Sequence, residues 1–140
     1  MKGTTWLVVG AVLAGSAVAL GAYQAHGLQG WLERGGAPAE QVVRRVENAE
    51  VAVRYQLFHA LAFLALGQWL TLRPSRVVRT AAWILLAGLL GFSGGLYVIV
   101  FGGTPIHWAI VPSGGVLLIA GWCVAAVGFA LPGKTLGEAK

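Results

Sequence analysis

Charge is scarce in this sequence. Only 11% of its 140 residues are Asp, Glu, Lys or Arg, under half the roughly 25% usual in a soluble domain. The scarcity is concentrated. No charged residue lies between Gly3 and Leu32, between Tyr55 and Leu72, or between Thr80 and Gly133. Apolar runs of about 18 or more residues without charge read as bilayer-spanning.

Cysteine is nearly absent. The single Cys123 excludes a disulfide framework within the chain and a multi-cysteine metal site. Its apolar setting reads as a buried, unreactive thiol. The apolar runs also hold no Asp or Glu, which argues against a proton relay or a cation pathway. No phosphate-binding loop and no nucleophile–base–acid set is visible, so the sequence leans away from an enzyme and names no cofactor.

Acidic residues are few as well, five against ten Lys and Arg, a net charge of +5. In a soluble protein that excess would suggest nucleic acid. Here the basic residues flank apolar runs, which makes them a topology signal and leaves no nucleic-acid partner.

What is present is apolar. The chain is 57% hydrophobic with a mean hydropathy of +0.74, and it is long enough for one domain. The pattern predicts an all-α, polytopic membrane four-helix bundle, a single integral membrane domain over residues 1–140 with spans at about residues 6–24, 51–72, 80–101 and 110–131. Lys2, the apolar run and Ala17-Val18-Ala19 have the form of a secretory signal. The run continues through Tyr23, however, which favours a retained span. Small residues at helical spacing (Ala11, Gly15, Ala19; Gly10, Ala14; Gly91, Gly95) predict close helix contacts.

Span one is expected to stop at Tyr23-Gln24-Ala25-His26-Gly27. Between spans one and two, Gly35-Gly36 and Pro38 punctuate the chain, and from Pro38 to Val53 the pattern becomes amphipathic. Val42, Val46, Ala49 and Val53 form one stripe, and Glu40–Arg44 and Glu50–Arg54 are i,i+4 pairs on the other side. The reading is a helix on the membrane surface leading into span two.

Arg73-Pro74-Ser75-Arg76-Val77-Val78-Arg79 packs three arginines into one turn with no acid. Such a turn is expected to face the cytoplasm. Gly102–Trp108 has no Lys or Arg and is expected outside. Four spans then place both termini, with Lys2 and Lys134, in the cytoplasm, and the chain in a bacterial cytoplasmic (inner) membrane. The first connection, with Arg34, Arg44 and Arg45, runs against this orientation and leaves the reverse open.

In either orientation, polar residues gather at one end. They are Tyr23, Gln24 and His26; Arg54, Tyr55, Gln56 and His59; Ser93, Tyr97 and His107; and Ser113 beside Pro112. Polar groups at membrane depth cost free energy unless paired, hydrated or used. Short echoes link the segments: Tyr23-Gln24-x-His26 with Tyr55-Gln56-x-x-His59, and Ser93-Gly94-Gly95 with Ser113-Gly114-Gly115. His26 and His59 on facing helices would be candidate axial ligands of a haem or, with a third histidine, of a divalent metal. Against that stands the plainer reading of histidines paired with tyrosine or glutamine. Arg54 is a partner for Glu50 or an anion anchor. Tyr55, Tyr97, Trp31, Trp69 and Trp108 suit aromatic belts.

These stretches carry a family resemblance. Gly21-Ala22-Tyr23-Gln24-Ala25-His26-Gly27-Leu28, Tyr55-Gln56-Leu57-Phe58-His59-Ala60-Leu61, Phe92-Ser93-Gly94-Gly95-Leu96-Tyr97 and Pro112-Ser113-Gly114-Gly115 with Gly121-Trp122 resemble the small bacterial membrane family called domain of unknown function 423, which has a eukaryotic small transmembrane relative. The resemblance touches all four spans in order. It departs at Tyr23-Gln24, where the family usually has Phe-Gly or a similar small pair, and at Val111-Pro112-Ser113-Gly114-Gly115, where it usually has Thr-Pro-Ile-Gly-Gly. It implies a four-helix inner-membrane protein and no particular reaction.

The sequence therefore leads to a non-enzymatic membrane protein whose polar, non-cytoplasmic end binds a lipid, a quinone or another amphipathic small molecule, or docks a larger membrane complex. Two other readings stand beside it. One is a haem- or metal-binding redox protein using His26 and His59. The other is a subunit of an oligomeric channel or transporter, which would be a homo-oligomer.

Overall fold

The computed structural model describes residues 2–104 and 107–131. Among them are four helices long and apolar enough to span a membrane: α1 (Gly3–Arg34), α2 (Ala39–Leu72), α3 (Arg76–Gly102) and α4 (Ile110–Ala130). The expectations placed on Lys134 and the tail, and on Pro105 and Ile106 of the last turn, lie outside the described residues. α1 pairs with α2, α3 pairs with α4, and the two hairpins join along α2 and α3. One end of the bundle carries Lys2 and the Arg73–Arg79 turn. The other carries every described acid, Glu33, Glu40, Glu47 and Glu50. We call them the arginine end and the glutamate end.

The seams repeat every seven residues. α1 buries Gly3, Trp6, Gly10 and Ala17, with Leu13 half-buried between them. α2 buries Ala49, Ala52, Gln56, His59, Phe63, Leu66 and Leu70. α4 buries Gly114, Leu118, Gly121, Ala125 and Gly128. Alternating steps of three and four keep one stripe facing the partner of a slightly supercoiled helix pair. Small residues in that stripe let the backbones close, which in lipid replaces the hydrophobic drive available in water. The tightest approach is α3 to α4. A Cβ on Gly114 would stand 2.7 Å from the carbonyl carbon of Gly91 and 2.9 Å from the Gly88 oxygen, so only glycine fits there.

This stripe corrects the ridge expected of α1. Gly10 lies on the seam, but a Cβ on Gly15 would meet nothing within 4 Å, and Ala11 and Ala19 are exposed. Cys123 is likewise exposed rather than buried, because it stands two positions past the seam residue Gly121.

Two π turns interrupt the helices, at Gln24–Leu28 in α1 and Leu90–Gly94 in α3. Each adds one residue to a turn and so advances the buried stripe by one. In α3 the stripe runs Val78, Ala82, Leu85, Leu89, then Ser93, Leu96, Val100, with two successive steps of four at the π turn. In α1 it moves from Ala17 to Leu28 and Leu32, one position later than an uninterrupted seven-residue repeat would place it.

The π turn also explains why α1 does not stop at Gly27. The chain widens there and continues to Arg34, so the first helix is longer than the expected span 6–24. The amphipathic stretch after Pro38 is helical as expected, but it is not a separate surface element. It is the first half of α2, 34 residues without a break, about 51 Å long against a hydrocarbon core of about 30 Å. No proline, π turn or glycine interrupts α2 before Gly67, so this half is coaxial with the span. The protruding parts of α1 and α2 hold each other and α3 through a small second core of Leu28, Leu32, Val42, Ala49 and Val100. The main core, centred on Trp6, Phe63 and Leu85, occupies the arginine-end half. There Trp6 stacks on Phe63 at 5.4 Å and meets Trp83 edge-on at 5.2 Å between ring centroids.

Candidate functional site

Gln56 and His59 occupy consecutive positions in the otherwise apolar α2 stripe. Each is only 5% exposed. Counting from Leu72, they lie about 24 and 20 Å along the helix, in the far third of a hydrocarbon core about 30 Å thick.

Gln56 joins three helices. Its Nε2 donates to the Leu13 carbonyl oxygen at 3.0 Å and to Ser16 Oγ at 2.8 Å, both on α1. Its Oε1 accepts from the Tyr97 hydroxyl of α3 at 2.8 Å. Ser16 in turn donates to Val12 O at 2.9 Å. Both amide hydrogens are spent and the carbonyl has a partner, so this buried amide is satisfied.

His59 brings in the fourth helix. Trp122 Nε1 can only donate, and it stands 3.3 Å from His59 Nε2. The partners therefore assign the tautomer: Nε2 accepts, and Nδ1 carries the proton and donates to Tyr55 O at 2.7 Å. Together the two residues tie α2 to α1, α3 and α4.

The expected single polar cluster thus divides into two levels. Gln56, His59 and Tyr97 form the inner level with Ser93, which is 2% exposed and whose hydroxyl finds no partner among the described residues. Ser93 is brought to the seam by the π turn. Tyr23, Gln24, His26 and Arg54 lie further toward the glutamate end. Tyr23 packs toward Phe101, with ring centroids 6.3 Å apart. Gln24 opens the first π turn, and His26 is exposed. Arg54 pairs with Glu50 on the exposed side. Ser113 is exposed on the first turns of α4 and is not brought to the others. Tyr97 faces Gln56 rather than standing in a belt.

The two histidines do not converge. His26 lies ten residues beyond Ser16, about 15 Å further along α1 than the Gln56 level. Both nitrogens of His59 are engaged within the bundle. Among the described residues no group of three His, Cys, Asp or Glu gathers as metal ligands do.

Tyr55, which precedes Gln56 at the same level, is open to the outside of the bundle. It is 39% exposed, and its ring lies 4.5 Å from Phe92 and 6.2 Å from His59 between centroids. Its hydroxyl makes no hydrogen bond among the described residues. Phe92 lies over Gly115, where a Cβ would stand 3.6 Å from the ring. Tyr55, Phe92, His59 and Trp122 form an aromatic face between α2 and α4, with Tyr55 and Trp122 exposed on it.

Three participants were not among the candidate site residues of the sequence. Ser16 and Trp122 look like ordinary residues of apolar spans, Trp122 standing out only through its place in the resemblance, and the period-seven stripes would have flagged the seams they border. Arg45 reads as a topology charge. In the structure its Nε donates to the Val100 carbonyl at 2.6 Å, capping the last turn of α3, and its guanidinium lies 5.7 Å from the Trp31 ring centroid.

A bundle of four spanning helices pinned by side chains from all four defines a polytopic α-helical membrane protein. The family described as "Protein of unknown function (DUF423)" matches residues 20–115, more than half of the chain, and this chain belongs to that family. It is 35% identical over 122 residues to a UPF0382 membrane protein of Staphylococcus aureus (strain bovine RF122 / ET3-1), covering 87% of this chain and 92% of that one. It is 33% identical over 124 residues to the UPF0382 membrane protein YwdK of Bacillus subtilis (strain 168), covering 87% and 93%. A UPF0382 membrane protein of Haemophilus influenzae (strain ATCC 51907 / DSM 11121 / KW20 / Rd) is 35% identical over 111 residues, covering 79% and 82%. No solved structure matches the chain significantly.

Proposed function

We propose that this membrane protein is non-enzymatic and holds an amphipathic small molecule, a quinone or a lipid, against the aromatic face between α2 and α4. The carrying observation is the contrast within the inner level. Gln56, His59 and Tyr97 are consumed by the bundle's own hydrogen bonds. Tyr55 offers a half-exposed ring beside Phe92 and a hydroxyl without a partner among the described residues. A flat ring with one polar atom lying on that face would gain stacking and one hydrogen bond. The buried polar pairs hold the face rigid, as a preformed site requires.

The basic turn supports an orientation with the arginine end in the cytoplasm, in the inner membrane of a bacterium. The aromatic face then lies toward the non-cytoplasmic half of the bilayer. The test is to extract the full chain gently from its membrane and identify what copurifies by mass spectrometry. Stoichiometric quinone or lipid that is lost in Tyr55→Ala, while the fold persists, supports the reading. A bare protein, or retention unchanged in Tyr55→Ala and Trp122→Leu, defeats it.

A second reading is docking to a larger membrane complex. The protrusion of α1 and α2 past the bilayer favours it, with Val43 and Trp31 exposed there. Cross-links from that hairpin to one constant protein in native membranes would support it, and cross-links to copies of this chain would point to a homo-oligomer.

A further inference from the structure

The arginine end contains a cavity away from the Gln56 and His59 hydrogen bonds. It measures about 520 Å³ and lies between the start of α1, the last turn of α2 and the start of α3. Lys2 and Arg79 bring charge to its wall, and Thr4, Thr71 and Ser75 bring hydroxyls. Gly3 fixes this geometry. α1 begins so close to α2 that a Cβ on Gly3 would stand 2.6 Å from the Thr71 backbone nitrogen, which holds the first turn of α1 at the cavity wall.

Among the described residues the charge there is unbalanced. Arg79 is half-buried, and the described ion pairs, Arg44–Glu40 and Arg54–Glu50, both belong to the other end. All four described acids are at that other end too. The first-turn amides of α1 add to the imbalance, since no side chain caps them and they carry partial positive charge. Burying part of a cation is costly unless an opposite charge or a hydrogen-bonding partner meets it. The other cations of this turn are placed differently. Arg76 is exposed, and Arg73 is exposed with its guanidinium 5.4 Å from the Trp69 ring centroid. A topology signal accounts for basic residues in the turn, but not for the gathering of Arg79 with Lys2 around a cavity.

We propose that this cavity binds a phosphate group carried by an anionic phospholipid of the adjoining leaflet. Arg79 and Lys2 contact the phosphate oxygens, the Thr4 and Ser75 hydroxyls donate to the remaining acceptors, and Thr71 Oγ1, which donates to the Gln68 carbonyl, accepts from a headgroup hydroxyl. The lipid source follows from position. The cavity sits where the apolar runs of α1, α2 and α3 begin or end, the depth at which headgroups lie, and Leu70 supplies an apolar wall. The site is at the opposite end of the bundle from Tyr55 and does not depend on a ligand there.

The test uses full-length protein in detergent, titrated with phosphatidylglycerol or phosphatidylcholine and read by native mass spectrometry, with excess inorganic phosphate as competitor. The expected result is preferential retention of phosphatidylglycerol, weakened about tenfold by Arg79→Gln or Lys2→Gln as a charge-assisted contact is lost. Arg76→Gln, which removes equal charge from the same turn outside the cavity, leaves retention unchanged, and Arg79→Lys restores most of it. Thermal unfolding confirms that each variant is folded, and Lys2→Gln carries the test if Arg79→Gln is not. Equal retention by wild type and Lys2→Gln overturns the proposal, as does equal weakening by Arg76→Gln. Full displacement by inorganic phosphate overturns the lipid assignment in favour of a soluble phosphate.

Discussion

Tyr97 donates a hydrogen bond of 2.8 Å to Gln56 across the seam between α2 and α3, and the same amide donates to α1. A residue that looks like a binding group in the sequence is thus a three-way fastener. In membranes, interhelical side-chain hydrogen bonds average about 0.6 kcal/mol and reach about 1.7. Removing one partner costs more when the remaining group is left unsatisfied.

Gln56→Leu strands the Tyr97 hydroxyl and leaves the acceptors on α1 without their donor. Loss of about 1–3 kcal/mol is expected, measured by unfolding in mixed micelles. The double variant with Tyr97→Phe is expected to lose less than the two single losses combined, because the second change removes the stranded hydroxyl.

His59 is expected to carry its proton on Nδ1. Nitrogen NMR of labelled histidine in the folded protein reads the tautomer directly. Trp122→Phe removes the donor to Nε2 and is expected to allow the other tautomer, while His26 and His107 keep their signals.

Gly114→Ala drives a methyl group into the backbone of α3 and is expected to destabilise by about 1–3 kcal/mol. Gly15→Ala points into open space. It is expected to be neutral or to stabilise by up to about 1 kcal/mol through helix propensity. Unfolding both variants side by side separates the seam from the lipid-facing surface.

Arg45→Gln removes the guanidinium from Trp31 and weakens the cap on Val100. Amide exchange is expected to quicken in the protruding part of the α1–α2 hairpin and at the end of α3, with the Trp6–Phe63 core unchanged. Hydrogen-exchange mass spectrometry resolves the two regions.

The spans were legible because charge is excluded from lipid, so the gaps between charged residues nearly outline the helices. Gln56 and His59 were legible for the related reason that polar residues stand out in an apolar run. Tyr97, a partner of Gln56, was legible for the same reason, but the other partners were not picked out as site residues. Trp122 is a donor disguised as an apolar residue, and Ser16 is one hydroxyl among small side chains. The continuation of α1 past Gly27 was hidden because glycine and a polar run usually end a helix, and a π turn leaves no mark in composition. The union of the amphipathic stretch with span two was hidden for the converse reason. A change from amphipathic to uniformly apolar marks a change of surroundings, not a break in the backbone.

That union has a mechanical consequence. Stiffness in a helix comes from an unbroken hydrogen-bond ladder, and α2 has one from Ala39 to Leu72. At about 51 Å it outruns a core of about 30 Å, and its outer turns stand on the same rod as Gln56 and His59. A push or twist applied outside therefore arrives at the fastened seam as a rigid tilt, with no hinge between to absorb it.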